Sequence, residues 1–171
     1  MVNSTFPRTI NHIGLNVTKL EEAAEWYQRI FGWRTLVPPF EITAGEGEPG
    51  ERFAMLAGQS FKKTRLCYMT TGNGVGIELF EFEQPATPPA TQPDNSPLGE
   101  YWRFGLWHFC VTDPDVDGLI DTIVANGGSR ASQTVETPPD SGYRLGYAQD
   151  PFGNVIEIMS VNFENGLSNL V

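Results

Sequence analysis

The chain repeats itself. Within 171 residues the order strand, helix, strand, strand, strand can be read twice. A topology written twice constrains the fold more tightly than any single element. In the first pass "TINHIGLNV" (9–17) reads as a strand and "TKLEEAAEWYQRIFG" as the helix after it. Thr18 is placed as N-cap, with Glu21 completing a capping box. Leu20, Ala23, Ala24, Tyr27, Ile30 and Phe31 recur at helical spacing, and Gly32 is the stop. "WRTLV" predicts a short strand halted by Pro38 and Pro39. Residues 40–60, rich in Gly and Glu, predict a loop or lid with one helical turn. "KTRLCYMTT" and "VGIELFEF" form a hairpin about Gly72-Asn73-Gly74.

"QPATPPATQPDNSPLG" (84–99) carries five prolines in sixteen residues. Proline removes backbone donors and fixes φ, so this stretch is a linker. The second pass follows. "LWHFCVT" is a strand, Asp113 an N-cap with Pro114 at the first helical position, and Val116, Leu119, Ile120, Ile123 and Val124 a helical stripe ending at Asn126-Gly127-Gly128. "SRASQTVE", "SGYRLGYAQ" and "NVIEIMS" supply three more strands. The expected organisation is a first module at 1–83 with an insertion at 40–60, the linker at 84–99, a second module at 100–161 and a tail at 162–171.

Composition excludes several function classes. A formal net charge of −10 argues against general affinity for nucleic acid or anionic membrane surfaces. No segment approaches the roughly 18 apolar residues needed to span a bilayer, and "MVNSTFPRTI" has no apolar core of a signal peptide. A soluble cytoplasmic protein is expected. Cys67 and Cys110 lie in apolar strands without metal-ligand spacing, which predicts two buried, reduced thiols. Only eleven Lys and Arg are present. The cluster Lys62, Lys63, Arg65 therefore reads either as solvated strand ends or as an anchor for an anionic substrate.

"FGNVIEIMS" poses the chemical question. Val155, Ile156, Ile158 and Met159 are fit to be buried on both faces of a sheet, yet Glu157 stands among them. A carboxylate taken out of water needs a partner, a proton or a metal. The chain has two histidines, His12 and His108, each in the first strand of its module, and each module sets a glutamate in its last strand, Glu78 and Glu157. The first pair is spaced more widely, by roughly the length of the 40–60 insertion. Two imidazole nitrogens and two carboxylates suit one divalent ion such as Zn, Ni, Co, Mn or Fe(II).

With "NHIGL", "EWYQRIFGW", "GIELFEF", "WHFCVTD" and "DPFGNVIEI" in these places, the chain resembles the vicinal oxygen chelate superfamily, which includes glyoxalase I, methylmalonyl-CoA epimerase, extradiol dioxygenases and bleomycin-resistance proteins. The resemblance runs from about residue 9 to 161. It implies an α+β fold of two βαβββ modules forming a curved eight-stranded mixed sheet around a metal pocket, paired within one chain or across a homodimer. It also implies His12, Glu78, His108 and Glu157 as the four ligands of glyoxalase I. The chemistry implied is proton transfer beside a chelated carbonyl, with Glu157 or Glu78 as base.

Departures from each member narrow the choice. Asn16 and Phe82 stand where glyoxalase I enzymes carry an arginine and an asparagine, which counts against glutathione as thiol partner. The epimerases' separate base has no counterpart between Gly58 and Ile77; Glu51 is the nearest acid. "YAQDPFGNVIE" fits the tail of the dioxygenase signature, with Tyr147 as a candidate substrate contact, but lacks its outer histidine. An Fe(II) dioxygenase and a metal-free binding or resistance protein are the alternatives to a glyoxalase-like lyase or isomerase. Tyr101, Trp102, Phe104 and Trp107 read either as core or as a wall for an aromatic small-molecule substrate, with Arg103 or Arg65 fixing an anionic group.

Overall fold

The computed structural model describes residues 8–87, 98, 101, 102 and 104–167. Most of the proline-rich linker, Arg103 and the last four residues of the tail lie outside them. The chain divides into two compact units, Met1–Pro88 and Pro89–Val171. Among the described residues, no helix is long and apolar enough to cross a membrane.

In the first unit β1 (His12–Asn16) is followed by α1 (Leu20–Phe31), β2 (Arg34–Thr43), α2 (Gly47–Ala57), β3 (Lys63–Thr70) and β4 (Gly76–Gln84). The sheet order is β1-β4-β3-β2, with β1 parallel to β4 and the other pairs antiparallel. α1 packs on β2, β3 and β4, and buries Leu20, Ala23, Ala24, Trp26 and Tyr27. Tyr27 stacks on Trp33 with ring centroids 5.0 Å apart. Removing each large apolar side chain from water contributes about 1.5–3 kcal/mol. Gly32 ends α1 in the left-handed region at φ 67°, where a Cβ would be strained.

Three local expectations give way to tertiary context. The N-cap of α1 is Lys19, with no side-chain cap of its own. Its first amide, Leu20, donates instead to Glu81 Oε2 of β4 at 3.3 Å. β2 does not stop at Pro38 and Pro39 but runs through them to Thr43, with register shifts between Thr35 and Val37 and between Val37 and Phe40. As the edge strand it tolerates missing donors, and the shifts absorb the prolines. The insertion contains the three-turn helix α2 rather than a single turn. α2 docks on β2, closely enough that a Cβ on the buried Gly50 would fall 2.0 Å from the Thr43 carbonyl oxygen.

The second unit runs β5 (His108–Thr112), α3 (Val116–Ala125), β6 (Ser129–Arg130), β7 (Val135–Glu136), β8 (Arg144–Gln149), β9 (Val155–Met159) and α4 (Phe163–Leu167). Its order, β5-β9-β8-β6, reproduces that of the first sheet, and β7 also pairs with β8. The α+β repeat of βαβββ modules therefore stands. Its strands are hydrogen-bonded as two mixed sheets of four and five. The fifth arises where one strand is split into β6 and β7. Between them Ser132 Oγ accepts the Tyr147 amide at 2.9 Å, replacing the backbone acceptor that a continuous ladder would use. The cap of α3 is Asp115, whose carboxylate accepts the Gly118 amide at 3.1 Å. Asp113 instead accepts the Asp115 amide at 2.8 Å, a turn that delays the helix past Pro114.

Candidate functional site

In the first unit the pairing of β1 with β4 sets Gly14 beside Glu78, two positions along from His12 beside Gly76. Because alternate residues share a face, His12 and Glu78 emerge on the same side of the sheet. His12 Nε2 lies 3.5 Å from Glu78 Oε2. His12 Nδ1 donates to Asn11 Oδ1 at 2.8 Å. That tautomer leaves a lone pair on Nε2 turned toward an anionic oxygen, an arrangement that a cation relieves.

The second unit builds the same pair by the same register. β5 lies parallel to β9, with Cys110 beside Glu157 and His108 beside Val155. His108 Nε2 lies 3.1 Å from Glu157 Oε2. The second carboxylate oxygen, Oε1, accepts the Tyr147 hydroxyl at 3.0 Å, so the glutamate among the apolar residues of β9 has a partner on each oxygen. Burial first, and then the Glu157 charge, push the Tyr147 phenol above its ordinary range, so it stays protonated and able to donate. His108 Nδ1 is buried without a hydrogen-bond partner. Trp107 stacks on Tyr147, ring centroids 5.4 Å apart, and meets His108 edge-on at 4.6 Å.

Each unit thus presents one imidazole and one carboxylate at equivalent positions. Among the described residues, no group of three or more His, Cys, Asp or Glu side chains is gathered as a metal cluster. The donor set of each pair, a neutral nitrogen and an anionic oxygen, fits a borderline divalent ion.

A family model described as the glyoxalase/bleomycin resistance protein/dioxygenase superfamily matches residues 9–158. The chain belongs to that superfamily. Solved structures similar to this glyoxalase-superfamily chain include a glyoxalase family protein from Bacillus cereus, with TM-score 0.67 and 21% identity over 93% of this chain and 97% of that one. A genomically encoded fosfomycin resistance protein, FosX, from Listeria monocytogenes aligns with TM-score 0.54 and 16% identity over 95% and 98% of the two chains. A glyoxalase I variant from Zea mays gives 0.55 and 18% over 89% of this chain and 45% of that one. At such identities these likenesses concern the fold alone. Among curated proteins, none matches the chain.

The remaining sequence-selected residues fall in different places. Arg65 is on the α1 side of its sheet, opposite Glu78, ion-paired with Glu21 and with Glu81 at 3.0 Å. It is a structural clamp in this superfamily member, and the second unit repeats it: Arg144 pairs with Asp117 at 2.8 Å, the second residue of α3, as Glu21 is of α1. Lys63 is likewise paired, with Glu41 at 2.9 Å and Glu83 at 3.1 Å. Tyr101, Trp102 and Phe104 are exposed rather than core. Trp102 meets Tyr101 at 5.2 Å, Tyr101 meets Trp107 at 5.9 Å, and Trp107 carries the contact to Tyr147. Cys67 is buried as expected but Cys110 is exposed, because its position in the ladder puts it on the Glu157 face.

Asn16, two positions beyond Gly14, is exposed on the His12 face of β1. Phe82 stacks on Phe80 at 5.5 Å and packs with Phe53 of α2 against the cluster of Ile42, Phe61 and Leu66. A residue the sequence reading passed over is Tyr68. It stands beside Glu78 in the β3–β4 register as Tyr147 stands beside Glu157 in β8–β9. The signal was present: Arg65-Leu66-Cys67-Tyr68 and Arg144-Leu145-Gly146-Tyr147 are the same Arg-Leu-x-Tyr pattern in equivalent strands. Glu81, on the opposite face of β4 from Glu78, accepts the first amide of α1 and pairs with Arg65.

Proposed function

We propose that the protein is a metal-dependent enzyme of the glyoxalase-like lyase or isomerase type, with His12, Glu78, His108 and Glu157 as ligands of one divalent ion per chain. The observation that carries this reading is the repeated pair, Nε2 to Oε2 at 3.5 Å in one unit and 3.1 Å in the other. A structural histidine has no reason to recur beside a glutamate at the same two register positions of a duplicated module. The unpartnered, buried His108 Nδ1 adds support. A buried polar atom without a hydrogen bond costs about 1–3 kcal/mol, a cost that binding sites retain and structural sites shed.

A divalent ion held there would supply Lewis-acid polarisation of a carbonyl oxygen. The chain's own residues would do the rest. One glutamate takes the proton from the carbon beside the carbonyl and returns it to the neighbouring carbon, while the Tyr147 hydroxyl holds the carboxylate of Glu157. Phe80 and Phe82 extend from Glu78 as an apolar wall, and Asn16 offers no cation. This favours an apolar or aromatic substituent on the substrate over the charged arm of glutathione. Purified protein should carry close to one divalent ion per chain, and His108→Ala should lose it. A preparation that neither contains a divalent ion nor takes up added Ni, Co, Zn, Mn or Fe(II) sinks this reading in favour of a metal-free binding protein of the same fold. Oxygen uptake with a catechol under Fe(II) would instead identify a dioxygenase.

A further inference from the structure

We propose that Asn73 is a site of spontaneous deamidation, a modification promoted by the turn between β3 and β4 and withheld from the two other Asn-Gly pairs of the chain. In this reaction the backbone nitrogen of the following residue attacks the carbonyl carbon of the asparagine side chain. A C–N bond closes a succinimide ring, and the side-chain nitrogen leaves as ammonia. Water then opens the ring to aspartate or isoaspartate, so nothing is oxidised or reduced. The step is favoured by a glycine next in sequence, which has no Cβ to obstruct the attack. It also needs an attacking nitrogen free of hydrogen bonds and a leaving amide that nothing holds. Asn-Gly occurs three times, at Asn73-Gly74, Asn126-Gly127 and Asn165-Gly166.

The three pairs are held differently. Asn73 and Gly74 are exposed at the tip of the hairpin. Among the described residues, neither the Gly74 amide nor the Asn73 side-chain nitrogen donates a hydrogen bond. The side-chain oxygen, by contrast, is held. The Val75 amide donates to Asn73 Oδ1 at 3.1 Å, and the Thr71 hydroxyl lies 2.6 Å from it, sharing its proton with the Val75 carbonyl at 2.9 Å. Donors on that oxygen polarise the carbon under attack and stabilise the negative charge that develops as the new bond forms. Asn126 has the opposite arrangement: its side-chain nitrogen donates to the Thr122 carbonyl at 2.8 Å, and the Gly127 amide donates to the Val124 carbonyl at 3.2 Å. In α4 the Gly166 amide donates to the Asn162 carbonyl at 2.9 Å, and Gly166 is buried. Bonds that must break before attack slow these two sites about tenfold. The position matters to the fold, because isoaspartate adds a methylene to the main chain inside the loop that pairs Thr70 with Gly76. The Gly76 amide also donates to the Asn11 carbonyl at 2.8 Å, just before β1.

The full chain is incubated at mildly alkaline pH, folded and in urea, and each site is followed by peptide mass spectrometry with isoaspartate resolved from aspartate. In the folded chain Asn73 should react about tenfold faster than Asn126 or Asn165. In urea all three lose their partners, and their rates should converge. Thr71→Val keeps the shape of the side chain, removes its hydroxyl, and should slow Asn73 alone. The deamidated fraction, separated on anion exchange by its added negative charge, should melt at a lower temperature than the unmodified protein. Asn126 or Asn165 reacting as fast as Asn73 in the folded chain would overturn the proposal. So would a difference that persists unchanged in urea, since the preference would then lie in the neighbouring sequence and not in the turn. An unchanged or faster reaction in Thr71→Val would overturn the part assigned to the hydroxyl.

Discussion

Glu81 Oε2 accepts the Leu20 amide at 3.3 Å while holding Arg65 Nη1 at 3.0 Å. One carboxylate from the last strand thus caps the first helix and anchors the arginine that also grips Glu21. Glu81→Ala should destabilise the protein by about 1–3 kcal/mol, from a lost helix cap of about 1 kcal/mol and a half-buried arginine deprived of one partner. The urea midpoint checks this. Metal affinity should not change, since Glu81 faces away from Glu78; a loss of affinity at unchanged stability would contradict that geometry.

Gly50 is the contact point between α2 and the end of β2. A Cβ there meets the Thr43 carbonyl oxygen at 2.0 Å, and backbone cannot yield as a side-chain tip can. Gly50→Ala should cost about 1–3 kcal/mol by overpacking and loosen α2 before the rest of the unit. Limited proteolysis should then cut within 47–57 faster than in wild type.

Acid should weaken the helix-to-strand clamps. The Arg65 hydrogen bond holds Glu21 below its ordinary value of 4.5, and Thr134, then Arg130 and Arg144, hold Asp117 below 3.8. For a carboxyl whose folded pKa is depressed, the unfolded chain takes up the proton first. Its stabilisation is therefore present above the ordinary value and is lost as pH falls through the lowered one. Melting temperature should drop below about pH 4.5, and Asp117→Asn should flatten that drop. An unaltered slope would mean that the clamp contributes nothing.

The glutathione hemithioacetal of methylglyoxal should not be turned over by metal-loaded protein, because Asn16 carries no positive charge to ion-pair with a carboxylate and Phe82 is packed against Phe80 and Phe53. An absorbance assay at 240 nm for the thioester decides it. Turnover within tenfold of that of phenylglyoxal adducts of small uncharged thiols would place glutathione back among the substrates.

What the sequence settled by itself was whatever depends on neighbours along the chain or on repetition. The helical stripe of α1, the hairpin at Gly72-Asn73-Gly74 and the twofold βαβββ order are local or duplicated signals. The same duplication set one histidine and one glutamate in equivalent strands of each module, though the register that brought each pair onto one face came from strand pairing. Tertiary structure decided everything that depends on what lies across the sheet. A carboxylate from β4 replaced the local cap of α1, an edge position let β2 pass two prolines, and docking on β2 gave α2 three turns. Arg65 and Tyr147, both marked in advance as substrate contacts, parted company because successive residues of a strand face opposite ways: Arg65, like Arg144 in β8, met the helix, whereas Tyr147 met the carboxylate. The partners of a long polar side chain are fixed by the register of neighbouring strands, which no single strand encodes.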